Sequence, residues 1–188
     1  MPGMHNLQKL LYFARGAFYT ALLRLYGAKV GRRLRVESGV RFRYALHRGI
    51  TIGDDVYIGP NCCFDLPPGM TFALGDRASL NIGVFIGGNT SVVIGRDVLI
   101  GEYVSIRDSN HGIDNLNMPI NRQPMVSRPV TVGSNVWIGR GVCVLPGSVI
   151  HDGCVVGANA VVNGALPADT VAVGAPARVV RSRGQHVS

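Results

Sequence analysis

Residues 130–162 read VTVGSNVWIGRGVCVLPGSVIHDGCVVGANAVV, and in this stretch an aliphatic side chain recurs every six residues. The positions are Val132, Ile138, Val144, Ile150, Val156 and Val162. Four residues after most of them sits a small or β-branched residue: Val136, Val142, Ser148, Cys154, Ala160. Such a period is neither the 3.6 of a helix nor the 2 of a half-buried strand. It fits a hexapeptide solenoid, in which each unit makes one short flat face and one corner. Three faces close a triangular turn of about eighteen residues, and turns stack at roughly 4.8 Å. The large and small inward positions then form continuous buried columns.

Working outward, the same spacing appears at Ile94, Ile100 and Ile106, and at Ile52 and Ile58, with Val98, Val104, Val56 and Cys62 in the small slot. The repeat slips between Phe64 and Ile82, where Asp65-Leu66-Pro67-Pro68-Gly69 reads as a turn or bulge. Ile82 reads as the next anchor and Gly88 fills the slot after it, which predicts an imperfect face. From Arg107 to Pro129 the period stops. That stretch is polar, carries prolines and is too long for a corner, and a loop ejected from a regular scaffold is usually functional. From Val171 the chain is expected to leave the solenoid and end in a basic tail with Arg181 and Arg183. The organisation is therefore an N-terminal segment 1–29, a solenoid 30–170 with an ejected loop 107–129, and an extension 171–188. The expected fold is all-β, a left-handed parallel β-helix of roughly five to seven turns.

With 188 residues, 47% hydrophobic, 16% charged and 25 glycines, the composition suits such a solenoid better than an ordinary α/β domain. Residues 4–27 read as a helix with an apolar stripe of Leu7, Leu10, Leu11, Ala14, Phe18, Leu22 and Leu25. Lys9, Arg15 and Arg24 break it, so no uncharged run approaches the roughly twenty residues of a membrane span. A cleavable signal is not expected either, and the localisation expected is cytoplasmic. The helix is expected to pack on protein; the alternative is an interfacial helix in weak peripheral contact with a membrane. The net charge of +8 is concentrated in Lys29, Arg32, Arg33, Arg35, Arg41, Arg43 and Arg48. That run is either a solvated basic face or an anion-binding one. Nucleic acid is not an expected partner, because no recognisable nucleic-acid motif is present. Cys62 and Cys154 occupy small inward slots and no CxxC occurs, so the four cysteines read as structural thiols.

His111 stands near the start of the ejected loop, in Ser109-Asn110-His111-Gly112-Ile113-Asp114. An imidazole, with its ordinary pKa near 6.5, can take a proton from a hydroxyl at neutral pH. His5 and His186 are terminal, His47 lies in the basic run and His151 sits at a corner. No G-x-S-x-G elbow is present, and the loop's single imidazole does not make a metal site.

The asparagine–histidine loop, the segment Pro129–Gly139, Leu145-Pro146-Gly147 and Val173-Gly174-Ala175-Pro176-Ala177-Arg178 together resemble the hexapeptide-repeat acetyltransferases. The nearest branch is the sugar O-acetyltransferases, typified by galactoside, maltose and polysaccharide-modifying enzymes. The resemblance covers roughly residues 50–181. It implies an acetyl-CoA-dependent O-acyltransferase acting on a sugar or polysaccharide precursor, by direct transfer and without a metal. The alternative is an N-acetyltransferase acting on an amino-sugar nucleotide or an antibiotic-like molecule. By the same resemblance His111 is the general base and the backbone N–H of Arg140 an oxyanion donor. Asp65, Asn81 and Asn110 bind the acceptor. Trp137, Gly141, Ala158, Arg178 and Arg181 line the coenzyme groove. The family assembles as a homotrimer, which would set His111 against Trp137 of a neighbouring subunit. Asn163-Gly164 departs from the threonine–lysine common in the family, leaving other arginines to replace that cation.

Overall fold

The six-residue period is realised as short strands, most of two or three residues, each followed by a corner. A computed structural model describes the backbone of residues 2–185 and the side chains of residues 10–185. The side chains of His5, Leu7 and Lys9 therefore fall outside it, as do Met1 and residues 186–188 with His186. Three parallel sheets form the faces of the coil. The first face stacks seven strands from Lys29–Val30 to Ala165–Leu166. The second runs from Arg35–Val36 to Thr170–Val173, and the third stacks six, from Arg41–Phe42 to Val161–Val162. The chain visits first, second and third face in order, so six full turns form one solenoid.

Inside, the columns expected from the period are present. Phe42, Phe64, Ile86, Ile106, Val144 and Val162 line the third face in register. The small-slot residues Val56, Cys62, Val98, Val104, Val136, Val142, Ser148, Cys154 and Ala160 are all buried. Ser148 keeps its hydroxyl satisfied by donating to the Val162 carbonyl at 3.0 Å. Burial pushes the Cys62 thiol up to about 11, so it stays protonated at neutral pH and packs as a small apolar group.

The slip in the repeat has a single cause. At the third corner, between third and first faces, the chain takes extra residues: from Phe42 to Ile52, Phe64 to Leu74, Ile86 to Ile94 and Ile106 to Val132. The inward residues after the second of these insertions are Leu80 and Ile86, not Ile82 and Gly88. Leu80 and Ile82 are both aliphatic, so the sequence alone left two registers open; the insertion before Leu74 selects the earlier one. Nor does the chain leave the solenoid at Val171. Thr170–Val173 is a second-face strand, and only after it does Arg178–Ser182 turn back to pair antiparallel with it.

The helix, Pro2–Leu25, closes the open start of the coil against strands Arg35–Val36 and Lys29–Val30. It docks through Tyr12, Gly16, Tyr19 and Leu23. Tyr19 donates its hydroxyl to the Val40 carbonyl at 3.0 Å, and Leu23 is fully buried. The stripe read from the sequence is therefore a different face of the helix, and most of it points outward. Gly16 explains why: a Cβ there would lie 1.8 Å from the Leu34 carbonyl oxygen. Backbone meets backbone at this point, which only glycine permits. Gly16→Ala is expected to cost about 1–3 kcal/mol, seen as a melting temperature lower by roughly 2–4 °C per kcal/mol. An unchanged melting temperature would refute the close docking.

Part of the basic run is neutralised by neighbouring carboxylates, Arg32 and Arg33 on the first corner and Arg43 by Asp65. Arg32 pairs with Asp54 at 2.9 Å, Arg33 with Asp55, and Arg77 with Asp97 at 2.6 Å. Hydrogen bonds from Arg32, Arg33 and Arg77 hold the carboxyls of Asp54, Asp55 and Asp97 below the usual carboxylate range. Arg32, Arg33 and Arg43 of the run are thus held in solvated ion pairs, whereas Lys29, Arg35, Arg41 and Arg48 belong to none among the described residues.

Candidate active site

The ejected loop leaves the third face after Arg107 and returns at Val130. Its base is held by Asp108, which is fully buried. The carboxylate accepts three backbone N–H groups of the neighbouring turn: Asn89 at 2.7 Å, Thr90 at 2.7 Å and Ser91 at 2.6 Å. Its carbonyl accepts the Arg128 N–H at 2.7 Å, tying the outgoing chain to the returning one. Gly88 makes room, since a Cβ there would lie 1.9 Å from Oδ1.

Above this base, Ser109–His111 pairs antiparallel with Met125–Ser127, placing His111 opposite Met125. Gln123, buried under the loop, donates to the carbonyls of Asn115 and Met118 at 3.0 Å and accepts the Asn115 N–H at 3.1 Å. The loop is therefore a braced hairpin, and His111 stands on it, exposed, with Asn110 beside it. A rigid exposed imidazole is suited to meet a substrate hydroxyl.

Asp65 lies on the same face. Its row runs Asp65, Gly87, Arg107 and so leads to the foot of the loop. The Asp65 carboxylate pairs with Arg43 at 3.1 Å, and Arg107 lies 4.1 Å over the Phe85 ring.

The other expected residues lie elsewhere on the triangle. Trp137 belongs to the second face, in a row with Leu99 and Val155. It is 55% exposed, and with Leu99, Val155, Asp97, Asn135 and Arg183 it lines a groove of about 280 Å³. Arg178 and Arg181 are on the returning strand of this same sheet. Arg181 donates to the carbonyls of Ser182 and Gln185, and Arg178 to that of Ala177. Arg140, Gly141, Ala158 and Asn81 fall at the second corner, between second and third faces. There Asn81 accepts the Ile82 N–H on its own side-chain oxygen at 2.7 Å. Among the described residues, the N–H groups of Glu102, Arg140 and Ala158 find no acceptor within the chain. This corner thus presents a column of free backbone donors, the type of group that can hold an amide carbonyl or a developing oxyanion.

One chain therefore gathers the residues into two groups. His111 and Asn110 sit at the third corner with Asp65 on the adjoining face. Trp137 and the two arginines occupy the second face, with Arg140, Gly141, Ala158 and Asn81 along its edge.

Three contributors were not read from the sequence. Asp108 had a signal, a carboxylate at the exact end of the period, but nothing revealed its burial. Gln123 looked like any polar loop residue. Arg183 was read only as part of a tail, yet it donates to the Asn135 and Gly153 carbonyls at 3.3 and 3.1 Å beside Trp137.

Comparison with known proteins agrees with the repeat architecture. Residues 129–164 match the family model described as bacterial transferase hexapeptide (six repeats), and residues 49–88 match the hexapeptide repeat of succinyl-transferase. A putative lipopolysaccharide biosynthesis O-acetyl transferase of Escherichia coli (strain K12) is 42% identical over 113 residues, covering 56% of this chain and 58% of the relative. The chain thus matches little more than half the length of that relative. A putative colanic acid biosynthesis acetyltransferase of the same organism is 30% identical over 86% of this chain and 73% of its own length. Among solved structures, a hexapeptide-repeat acetyltransferase of Vibrio cholerae, complexed with acetyl coenzyme A, superposes with a TM-score of 0.63. It is 27% identical, covering 90% of this chain and 78% of that one.

Proposed function

The chain belongs to the hexapeptide-repeat acetyltransferases, and on that premise we propose that it transfers an acetyl group from acetyl-CoA to a hydroxyl of a sugar or polysaccharide precursor. The observation that carries the reading is the braced hairpin that lifts a single exposed histidine off an otherwise regular coil. His111 takes the proton of the acceptor hydroxyl as that oxygen attacks the thioester carbonyl. The N–H at Arg140 receives the developing oxyanion, and the coenzyme leaves as its thiol. Base assistance supplies on the order of a hundred- to ten-thousand-fold, and holding both substrates in one groove supplies orientation.

The coenzyme fits the second-face groove. Trp137 offers an exposed ring to the pantetheine arm, and the free N–H groups along the second corner meet its amide carbonyls. Arg178 and Arg181 are the cations for its phosphates, and Arg183 stands in for the lysine missing at Asn163-Gly164. Asp65, Asn81 and Asn110 are assigned to the acceptor. Because His111 and Trp137 stand on different edges of the triangle, the complete site is built between two copies of a homotrimer. Use of acetyl-CoA supports a cytoplasmic location.

A thiol-release assay with acetyl-CoA against sugars, nucleotide sugars and lipid-linked saccharides tests the reading. Release with hydroxylated acceptors is expected; release only with amines would turn it towards N-acetylation. Arg178→Ala is expected to weaken acetyl-CoA binding by about ten- to a hundredfold through lost phosphate contact, with little change in saturated turnover. Titration calorimetry showing native affinity in that variant would remove Arg178 from the groove.

A further inference from the structure

The side of the N-terminal helix opposite its docking face is bare. Leu10, Phe18 and Leu25 are 66%, 63% and 79% exposed, with Ala14, Ala17 and Ala21 exposed among them. At 3.6 residues per turn these positions fill one continuous arc. Between Leu10 and Leu25 the only charged side chains are Arg15 and Arg24, one at each edge of that arc. A solvated helix face ordinarily carries polar side chains, and this one carries none. An apolar patch of this kind marks a contact surface.

We propose that this face lies flat on an anionic lipid surface. Charge selects the occupant. The chain holds no aspartate or glutamate before Glu37. Among the described residues, Arg15, Lys29 and Arg48 belong to no ion pair. Lys29 opens the first strand just past the turn that ends the helix, and Arg48 packs beside Gly27 in that turn. Two copies apposed through this face would bring these cations together with no carboxylate between them. Anionic headgroups supply the missing countercharge, while leucine and phenylalanine enter the headgroup–acyl boundary. Tyr26 and Tyr44, both about half exposed, flank the same end of the helix around a cavity of about 330 Å³. Tyrosine suits the headgroup level, with an apolar ring and a wet hydroxyl.

The helix rests on the surface rather than crossing it: no helix among the described residues is long and apolar enough to span a membrane. It covers the start of the coil, whereas Arg178–Ser182 lies at the other end of the second-face stack. Lipid contact therefore leaves the proposed coenzyme groove clear, and the inference does not depend on the acetyl-transfer reading.

Flotation of the full chain with phosphatidylcholine vesicles, with and without phosphatidylglycerol, tests it. The protein is expected to float with the anionic vesicles, to stay behind with the neutral ones, and to be released at high salt as the charges are screened. Phe18→Glu, on the exposed arc, is expected to weaken binding at least tenfold while melting at the native temperature. Lys29→Glu with Arg48→Glu is expected to abolish the preference for anionic vesicles. Failure of the native chain to float with anionic vesicles would overturn the proposal. So would a Phe18→Glu variant that floats like the native chain, or one whose only defect is a smaller particle in light scattering, which would assign the face to a second copy.

Discussion

His111→Ala is expected to lower turnover by about a hundredfold or more while acetyl-CoA affinity stays nearly native. A general base acts in the transition state rather than in coenzyme binding. The imidazole is exposed on its hairpin, and the bracing comes from Gln123, from Asp108 and from backbone pairing. The substitution removes the base without removing any of these, so the melting temperature should not move. Steady-state kinetics at saturating acceptor, beside a thermal melt, separate the two effects. Near-native turnover would show that another group takes the proton. A collapsed melting temperature would show that the histidine holds the loop together instead.

Asp108→Ala is expected to be the most damaging single change to the fold outside the aliphatic columns. The carboxylate satisfies three backbone N–H groups of the adjacent turn while itself fully buried. Hydrogen bonds to a charged acceptor contribute about 1.5–3 kcal/mol each, and a buried donor left without a partner costs about 1–3 kcal/mol. These terms do not add fully, so a loss of about 3–5 kcal/mol is expected, a large part of the roughly 5–15 kcal/mol by which domains are stable. For a chain of this size the melting temperature should fall by on the order of 10 °C. Asp108→Asn keeps one acceptor oxygen but turns an amide donor towards the same N–H groups, so it should fall in between. Hydrogen exchange at Asn89, Thr90 and Ser91 distinguishes this local account from general destabilisation. Those amides should lose protection first. Native protection there in the alanine variant would refute the clamp.

What could be read from the sequence followed from repetition. A period of six over residues 130–162 leaves one solution for the inward positions, and the buried column from Val132 to Val162 follows it. Where the period is broken the reading weakened. Leu80 and Ile82 are chemically alike, and only the stacking of Leu80 on Ile58 and Ile100 decides between them. The helix failed for a related reason. Its larger apolar face is not the one that docks, because the distance of approach is set by Gly16, and a glycine leaves no mark in a hydrophobic pattern. At the site, the break in the period drew attention to His111, whereas Asp108, only three positions earlier, went unread. A carboxylate that serves backbone donors on another turn is invisible until the turns are stacked. The two-group arrangement was likewise beyond the sequence, because the face on which a residue stands depends on counting corners through every insertion.

The chemistry itself is tested most directly by following the label from acetyl-CoA carrying carbon-13 in the acetyl carbonyl. With a hydroxylated saccharide acceptor and the native chain, the carbonyl signal is expected to move from thioester to ester, and with the His111→Ala variant to remain on the coenzyme. A label that stays on the coenzyme with every acceptor, or that emerges as an amide, would contradict O-acetyl transfer.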